Sequence, residues 1–77
     1  MVITVRAIGT VMNHMPKMAE QLTLSFAETV SVADVISQLG LPDYAIWIMT
    51  VNGDKVELTH VLRDGDLLSL YAPVAGG

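Results

Sequence analysis

The last six residues of the chain combine small side chains with one proline: Ala72-Pro73-Val74-Ala75-Gly76-Gly77. Pro73 stiffens the chain and extends it away from whatever precedes it. Val74 offers one apolar contact, while Ala75, Gly76 and Gly77 are thin enough to enter a narrow channel. The carboxylate of Gly77 is unhindered because glycine has no Cβ beside the carbonyl carbon. We expect a terminus that reacts inside another protein's active site, the alternative being an inert, frayed end.

Other residue types offer little chemistry. His14 and His60 stand in different predicted loops and are interpreted as solvated side chains, so we expect no metal site. The aspartates around Gly53 and Gly65 fit turn chemistry better than acid–base catalysis. The sequence has no phosphate-binding loop, no dinucleotide-binding glycine pattern and no nucleophile elbow. We therefore expect no enzyme activity from the chain on its own.

Length and composition exclude several classes of protein. The chain has 77 residues, which is room for one small domain, and no cysteine, which excludes disulfides and cysteine-ligated metals. Its net charge is −4, from eight acidic and four basic residues, and the basic residues are scattered along the chain. This argues against nucleic acid and for a basic protein partner. No signal peptide and no membrane-spanning run is recognised, so we expect a cytoplasmic protein without membrane contact.

The first half of the sequence predicts two strands and a helix. Residues 2–8 and 20–26 alternate apolar and polar side chains, which is typical of half-buried strands in an antiparallel hairpin. The segment between them, 9–19, has no clear period and is interpreted as a loop. Residues 32–39 carry apolar side chains at helical spacing, with Ser31 as the N-cap and Gly40 beyond the C-terminus.

The second half predicts three more strands. Residues 46–51 form a dense apolar run, interpreted as a buried central strand, and an Asn-Gly turn leads to a short return strand at 55–58. An Asp-Gly-Asp turn precedes the final strand, 67–71. This order predicts an α+β fold of the β-grasp (ubiquitin-like) type, in which a mixed sheet of four or five strands packs on one helix. We expect the domain to span residues 1–71 and a flexible tail to span 72–77.

The chain resembles the MoaD/ThiS family of ubiquitin-like sulfur carrier proteins over essentially its whole length. The resemblance rests on the element order, the Asn-Gly turn, the Arg-Asp-Gly-Asp turn and the terminal Pro-Val-Ala-Gly-Gly. That ending is most similar to the MoaD branch, the small subunits of molybdopterin synthase. The long first loop favours the same branch, whereas Ala72 stands where MoaD-like tails often carry a first proline.

The resemblance implies a cycle of activation and sulfur transfer at Gly77. An E1-like adenylating enzyme (MoeB/ThiF-like) would use ATP to adenylate the carboxylate, and a sulfurtransferase would supply the sulfur of a C-terminal thiocarboxylate. The tail, from Pro73 to Gly76, would thread the active site of a MoaE-like large subunit in molybdopterin (molybdenum cofactor) biosynthesis. No tightly bound cofactor is implied.

The resemblance also implies an apolar docking surface on the exposed face of the sheet. In this sequence it would include Ile8, Leu67 and Tyr71, while Leu68 and Leu70 point inward. For Tyr71, ordinary partial burial is the alternative.

Three other functions stay open at this stage. A ThiS-like carrier for thiazole (thiamine) synthesis, or a carrier for another sulfur-transfer pathway, would use the same tail. A ubiquitin-like protein modifier would join the activated Gly77 to a lysine. A β-grasp interaction module would leave the tail inert.

Overall fold

The structure, a computed structural model, describes residues 1–73, and within them it contains five strands and one α-helix. The elements in chain order are β1 (Val2–Ile8), β2 (Gln21–Ser25), α1 (Val32–Leu39), β3 (Ile48–Val51), β4 (Asp54–Lys55) and β5 (Leu67–Tyr71). The strands form one sheet in the order β2-β1-β5-β3-β4, in which β1 and β5 are parallel and the other pairs are antiparallel. The predicted β-grasp fold is confirmed.

The core lies between α1 and one face of the sheet. The alternation predicted for the first strand is confirmed, because Ile3 and Val5 are fully buried and the polar residues between them are not. Leu68 and Leu70 of β5 are fully buried beside them, since β5 pairs with β1 along its whole length. The first and last strands therefore meet at the centre of the core.

Local signals place the ends of α1. Ser31 accepts a hydrogen bond from the backbone N–H of Asp34, and the Asp34 carboxylate accepts one from the backbone N–H of Ser31. This reciprocal capping box satisfies N–H groups that a helix start leaves free. Gly40 ends the helix in the left-handed conformation, with φ of 71°. Both predicted caps are confirmed.

The segment predicted as a loop, 9–19, is more ordered than expected. It contains two 3-10 helices, Gly9–His14 and Pro16–Met18. Val11 and Met15 enter the core and are almost completely buried. A 3-10 helix has three residues per turn and rarely exceeds one or two turns, so its apolar residues produce no recognisable helical period.

The strands on either side of the Asn-Gly turn are shorter than predicted. Asn52 and Gly53 both have positive φ, at 53° and 92°, which confirms the tight two-residue turn. The strand predicted over 46–51 covers only Ile48–Val51 and is not buried throughout, because β3 has one face open to solvent. The predicted return strand over 55–58 is reduced to β4, which pairs only two residues.

Candidate functional site: the end of the central strand

Four of the predicted tail residues lie outside the described part of the chain: Val74, Ala75, Gly76 and Gly77. Pro73 is the last residue described. Hydrogen bonds to β1 and the segment after it continue past Tyr71, since Ala72 donates its N–H to the Ile8 carbonyl at 3.1 Å and Pro73 accepts from Thr10 at 3.2 Å. The boundary predicted after residue 71 stays a prediction.

An apolar row lies on the open face of the sheet at the end of β5. Tyr71 is directly opposite Ile8 of β1 on one side and Ile48 of β3 on the other. Residues opposite each other on neighbouring strands share a face, and successive residues alternate between faces. Leu70 is buried in the core, so Tyr71 faces away from α1, together with Ile8 and Ile48. We call these three residues the apolar row.

The third predicted docking residue is separate from this row. Leu67 lies four residues before Tyr71 on the same face, about 13 Å away at the rise of a β-strand. A polar row stands between them, in which Ser69 is flanked by Arg6 on β1 and Thr50 on β3. Ser69 is only 5% exposed although it points away from the helix. The structure thus brings Ile8 and Tyr71 together and leaves Leu67 apart.

Three exposed apolar residues near the end of β5 were not predicted from the sequence. Ile48 is 45% exposed within the apolar row, and Trp47 beside it is 70% exposed. The backbone N–H of Trp47 donates to the Tyr71 carbonyl at 2.8 Å, which places it at the end of β5. Tyr44 is also exposed, and its ring meets the His14 ring edge-on with centroids 5.9 Å apart. Tyr44 and Trp47 stand three residues apart in the sequence, and this was a usable signal because amphipathic aromatics are common at interfaces.

The opposite end of β5 is fixed by a network between two turns. The side-chain amide of Asn52 donates to Asp66 at 2.9 Å, and its oxygen accepts from the backbone N–H of Leu67 at 2.9 Å. Asp66 also accepts from the backbone N–H of Arg63 at 2.8 Å, and Asp64 accepts from Val2 at 2.6 Å. Asp64 and Asp66 therefore accept hydrogen bonds that stabilise turns, as the sequence indicated. The network fixes the start of β5 at Leu67.

The described residues combine a partly exposed apolar row with histidines that stand apart from each other. Across residues 1–73, no three His, Cys, Asp or Glu side chains come close enough to share a metal ion. His14 lies against Tyr44, whereas His60 belongs to a turn in which its N–H donates to the Glu57 carbonyl. No helix in this part of the chain has the length and apolar character needed to cross a membrane. What the geometry provides is an apolar row beside the point where the chain leaves the sheet.

Comparison with solved structures gives the same fold in proteins of low identity. SAMP1 from Haloferax volcanii has a TM-score of 0.73 at 15% identity, with both chains covered completely. A complex of subunits 1 and 2 of the molybdopterin-converting factor from Helicobacter pylori contains a chain with a TM-score of 0.67 at 22% identity, again with full coverage of both. A thiamine biosynthesis protein from Geobacter metallireducens has a TM-score of 0.60 at 21% identity, covering 100% of this chain and 88% of its own. No match is found among curated proteins.

The sheet order, the single helix and the central parallel pair define a ubiquitin-like domain. The predicted resemblance to the MoaD/ThiS group is confirmed at the level of the fold, because a subunit of a molybdopterin-converting factor and a thiamine biosynthesis protein share it. A family model described as Mut7-C ubiquitin matches residues 1–75. The chain therefore belongs to the Mut7-C ubiquitin family.

Proposed function

We propose that this protein is a sulfur carrier whose C-terminal Gly77 is adenylated and then converted to a thiocarboxylate. The observation that carries the proposal is the position of the apolar row. Tyr71 ends the central strand, and Gly77 is the sixth residue after it. A partner that docks on Ile8, Tyr71 and Ile48 would hold its active site within reach of the terminal carboxylate, since six extended residues span at most about 20 Å.

The chemistry requires partner enzymes because the carrier supplies only the carboxylate. An oxygen of the Gly77 carboxylate attacks the α-phosphorus of ATP, pyrophosphate leaves, and an acyl-adenylate forms. The terminal sulfur of a sulfurtransferase persulfide then attacks the acyl carbon and AMP leaves. A second thiol reduces the resulting acyl disulfide, forming a disulfide with the donor and releasing the thiocarboxylate. The Gly77 carboxylate is the only reacting group that the carrier supplies, and the sulfur nucleophile, the reducing thiol and the bases are contributed by partners.

The partner enzyme we favour is the large subunit of a molybdopterin synthase. The terminal Pro73-Val74-Ala75-Gly76-Gly77 resembles the MoaD branch, and the Helicobacter pylori complex pairs a chain of this fold with a second subunit. In this proposal the apolar row and Leu67 contact the partner. Residues 73–76 enter its active site, and sulfur passes to a precursor of molybdopterin. The row has the apolar and aromatic character of an interface core.

The test is an intact-mass measurement on the purified 77-residue chain. The chain is incubated with ATP, an E1-like activating enzyme and a persulfide sulfur source. We expect a species heavier by the difference between sulfur and oxygen, dependent on ATP. The control lacks Gly77 and should stay folded but unmodified, because the five strands and the helix are complete by Tyr71. Sulfur loading of the truncated chain would contradict the proposed role of the Gly77 carboxylate.

The same measurement separates the alternatives. Lysine-linked conjugates of the chain with other proteins, without the sulfur-bearing species, would identify a protein modifier. An unchanged mass with no conjugates would leave an interaction module. If sulfur is loaded but is transferred to an acceptor of thiazole synthesis and not to a molybdopterin synthase, the carrier is ThiS-like.

A further inference from the structure

The turn after β1 is joined to the chain that leaves β5. Beyond the last paired residues, Ile8 and Tyr71, the Ala72 N–H donates to the Ile8 carbonyl at 3.1 Å. One residue further, the Thr10 N–H donates to the Pro73 carbonyl at 3.2 Å. Thr10 is in the first turn of a 3-10 helix, where backbone N–H groups have no partner within the helix. The Pro73 carbonyl supplies that partner.

Gly9 makes this contact possible. It has a φ of +73°, a conformation that glycine adopts readily and other residues adopt at a cost. A Cβ at this position would overlap the carbonyl oxygen of Ala72. It would also lie 3.1 Å from the Ala72 carbonyl carbon and 3.3 Å from the Pro73 oxygen. The close approach of two backbones therefore requires that residue 9 have no side chain.

The other glycines of the described chain differ in this respect. Gly40, Gly53 and Gly65 also have positive φ, yet a Cβ on any of them meets no atom within 4 Å. At those three positions glycine is favoured by the backbone conformation alone. At Gly9 the space is also needed, and the atoms that occupy it belong to the first two residues of the predicted tail.

The hydrogen bond from Thr10 restricts the direction of the chain at Pro73. The proline ring already limits φ to a narrow range. The carbonyl oxygen of Pro73 lies in the same plane as the peptide bond that follows it, so holding that oxygen also fixes ψ. With both dihedrals restricted, the direction of the backbone is defined at Pro73, the last described residue.

A fixed direction matters because the remaining tail is short. Four residues after Pro73 span at most about 14 Å, so a change of about 20° at Pro73 moves the far end by about 5 Å. A misplacement of about 1 Å in an active site can reduce a rate about 100-fold. The constraint at Pro73 therefore affects where the terminal carboxylate arrives once the domain has docked.

We propose that Gly9 is a positioning residue for the reaction of the C-terminal carboxylate. By having no side chain, it lets the turn after β1 hold Ala72 and Pro73 and thereby aims the tail into the active site of the activating enzyme. This inference rests on the proposed carrier function. The role proposed for Gly9 is separate from docking, because the apolar row acts on binding to the partner and the contact at Gly9 acts on the reaction after binding.

The test compares Gly9→Ala with Gly40→Ala. Both glycines have nearly the same φ, +73° and +71°, so both variants carry the same backbone cost, but only the first meets the tail. The assay is ATP–pyrophosphate exchange catalysed by an activating enzyme that adenylates the wild-type chain. For Gly9→Ala we expect kcat to fall about 10-fold or more, with KM within about two-fold of wild type. Gly40→Ala should keep both values.

A local measurement accompanies the kinetics. Amide hydrogen exchange, followed by NMR, should show faster exchange at Thr10 and Ala72 in Gly9→Ala and not in Gly40→Ala. Both variants are assayed well below their unfolding temperatures. If Gly9→Ala does not fold, a synthetic chain with an ester in place of the Thr10 amide removes the single hydrogen bond without adding a Cβ. For that chain we expect a two-fold to about 10-fold loss of kcat.

The outcomes separate the two proposals. An unchanged kcat in Gly9→Ala, with faster exchange at Ala72, refutes the positioning role and leaves the carrier function intact. A rise in KM without a fall in kcat also refutes it, because the substitution would then act on docking. If the wild-type chain is not adenylated by any E1-like enzyme, the carrier function fails and the positioning role fails with it.

Discussion

Replacing Asn52 should destabilise the domain more than its exposed position suggests. Asn52 combines two roles in one residue. Its side chain hydrogen-bonds Asp66 and Leu67, each at 2.9 Å, and its backbone has a φ of 53°. The variants Asn52→Gly and Asn52→Ala separate these roles, because glycine removes only the side-chain bonds and alanine adds the cost of positive φ.

The expected losses follow from these contacts. The bond from the Leu67 N–H contributes about 1 kcal/mol, and the bond to the Asp66 carboxylate contributes about 1.5 kcal/mol, the low end for a charged acceptor because Asn52 is exposed. For Asn52→Gly we expect a loss of about 2.5 kcal/mol in the free energy of unfolding, from the two lost hydrogen bonds. Two backbone effects of glycine oppose each other: it adopts positive φ more easily in the folded state, and it gives the unfolded chain more freedom. Alanine adds about 1 kcal/mol. For a domain of this size, the glycine variant should lower Tm by about 10–20 °C.

The measurement is urea unfolding followed by far-UV circular dichroism. Trp47 fluorescence is a poor probe because that side chain is already 70% exposed in the folded state. The control is Asn13→Gly at another exposed asparagine, where we expect a loss below about 1 kcal/mol. A loss below about 0.5 kcal/mol for Asn52→Gly would refute the view that the two turns are coupled through this side chain.

Two further predictions concern the docking surface and the helix. Tyr71→Asp should weaken binding to the proposed activating enzyme about 10-fold or more in a titration, because it places a charge in an apolar contact. The control, Gln38→Asp on the exposed surface of the helix, should leave the affinity unchanged. Equal affinities for the two variants would remove Tyr71 from the proposed docking surface. Ser31→Ala should lower the free energy of unfolding by about 1 kcal/mol in urea, because it deletes one half of the capping box, and a neutral result would mean that Asp34 alone caps α1.

The parts of the fold that were predicted correctly depend on short local patterns, such as alternation along a strand or a residue type that favours positive φ. The alternation in β1 and β5 identified the buried face correctly, because a strand's side chains change face at every step. Asn52-Gly53 and Gly40 mark positions where positive φ is required, and the structure has positive φ at each. The position of the tail after a central strand followed from the order of elements alone.

The parts that were missed depend on packing between distant segments. A single eight-residue helix cannot cover both faces of the sheet, so the apolar run over 46–51 leaves Ile48 exposed on the open face. The sequence gives no measure of which apolar residues a short helix leaves uncovered. Likewise, the role of Gly9 depends on Ala72, 63 positions further along the chain, and no local pattern signals that proximity.

The pairing of β1 with β5 has a consequence for the order in which the molecule forms. During synthesis, β1 and β2 can join as a hairpin early, but the second edge of β1 has no partner until Leu67–Tyr71 has been made. Such distant pairings form slowly, and an open apolar strand edge invites aggregation meanwhile. The sheet therefore closes only after residues 67–71 have been made. A chain cut short before β5 would lack the buried Leu68 and Leu70 and the Tyr71 of the apolar row, so we expect it to be unfolded.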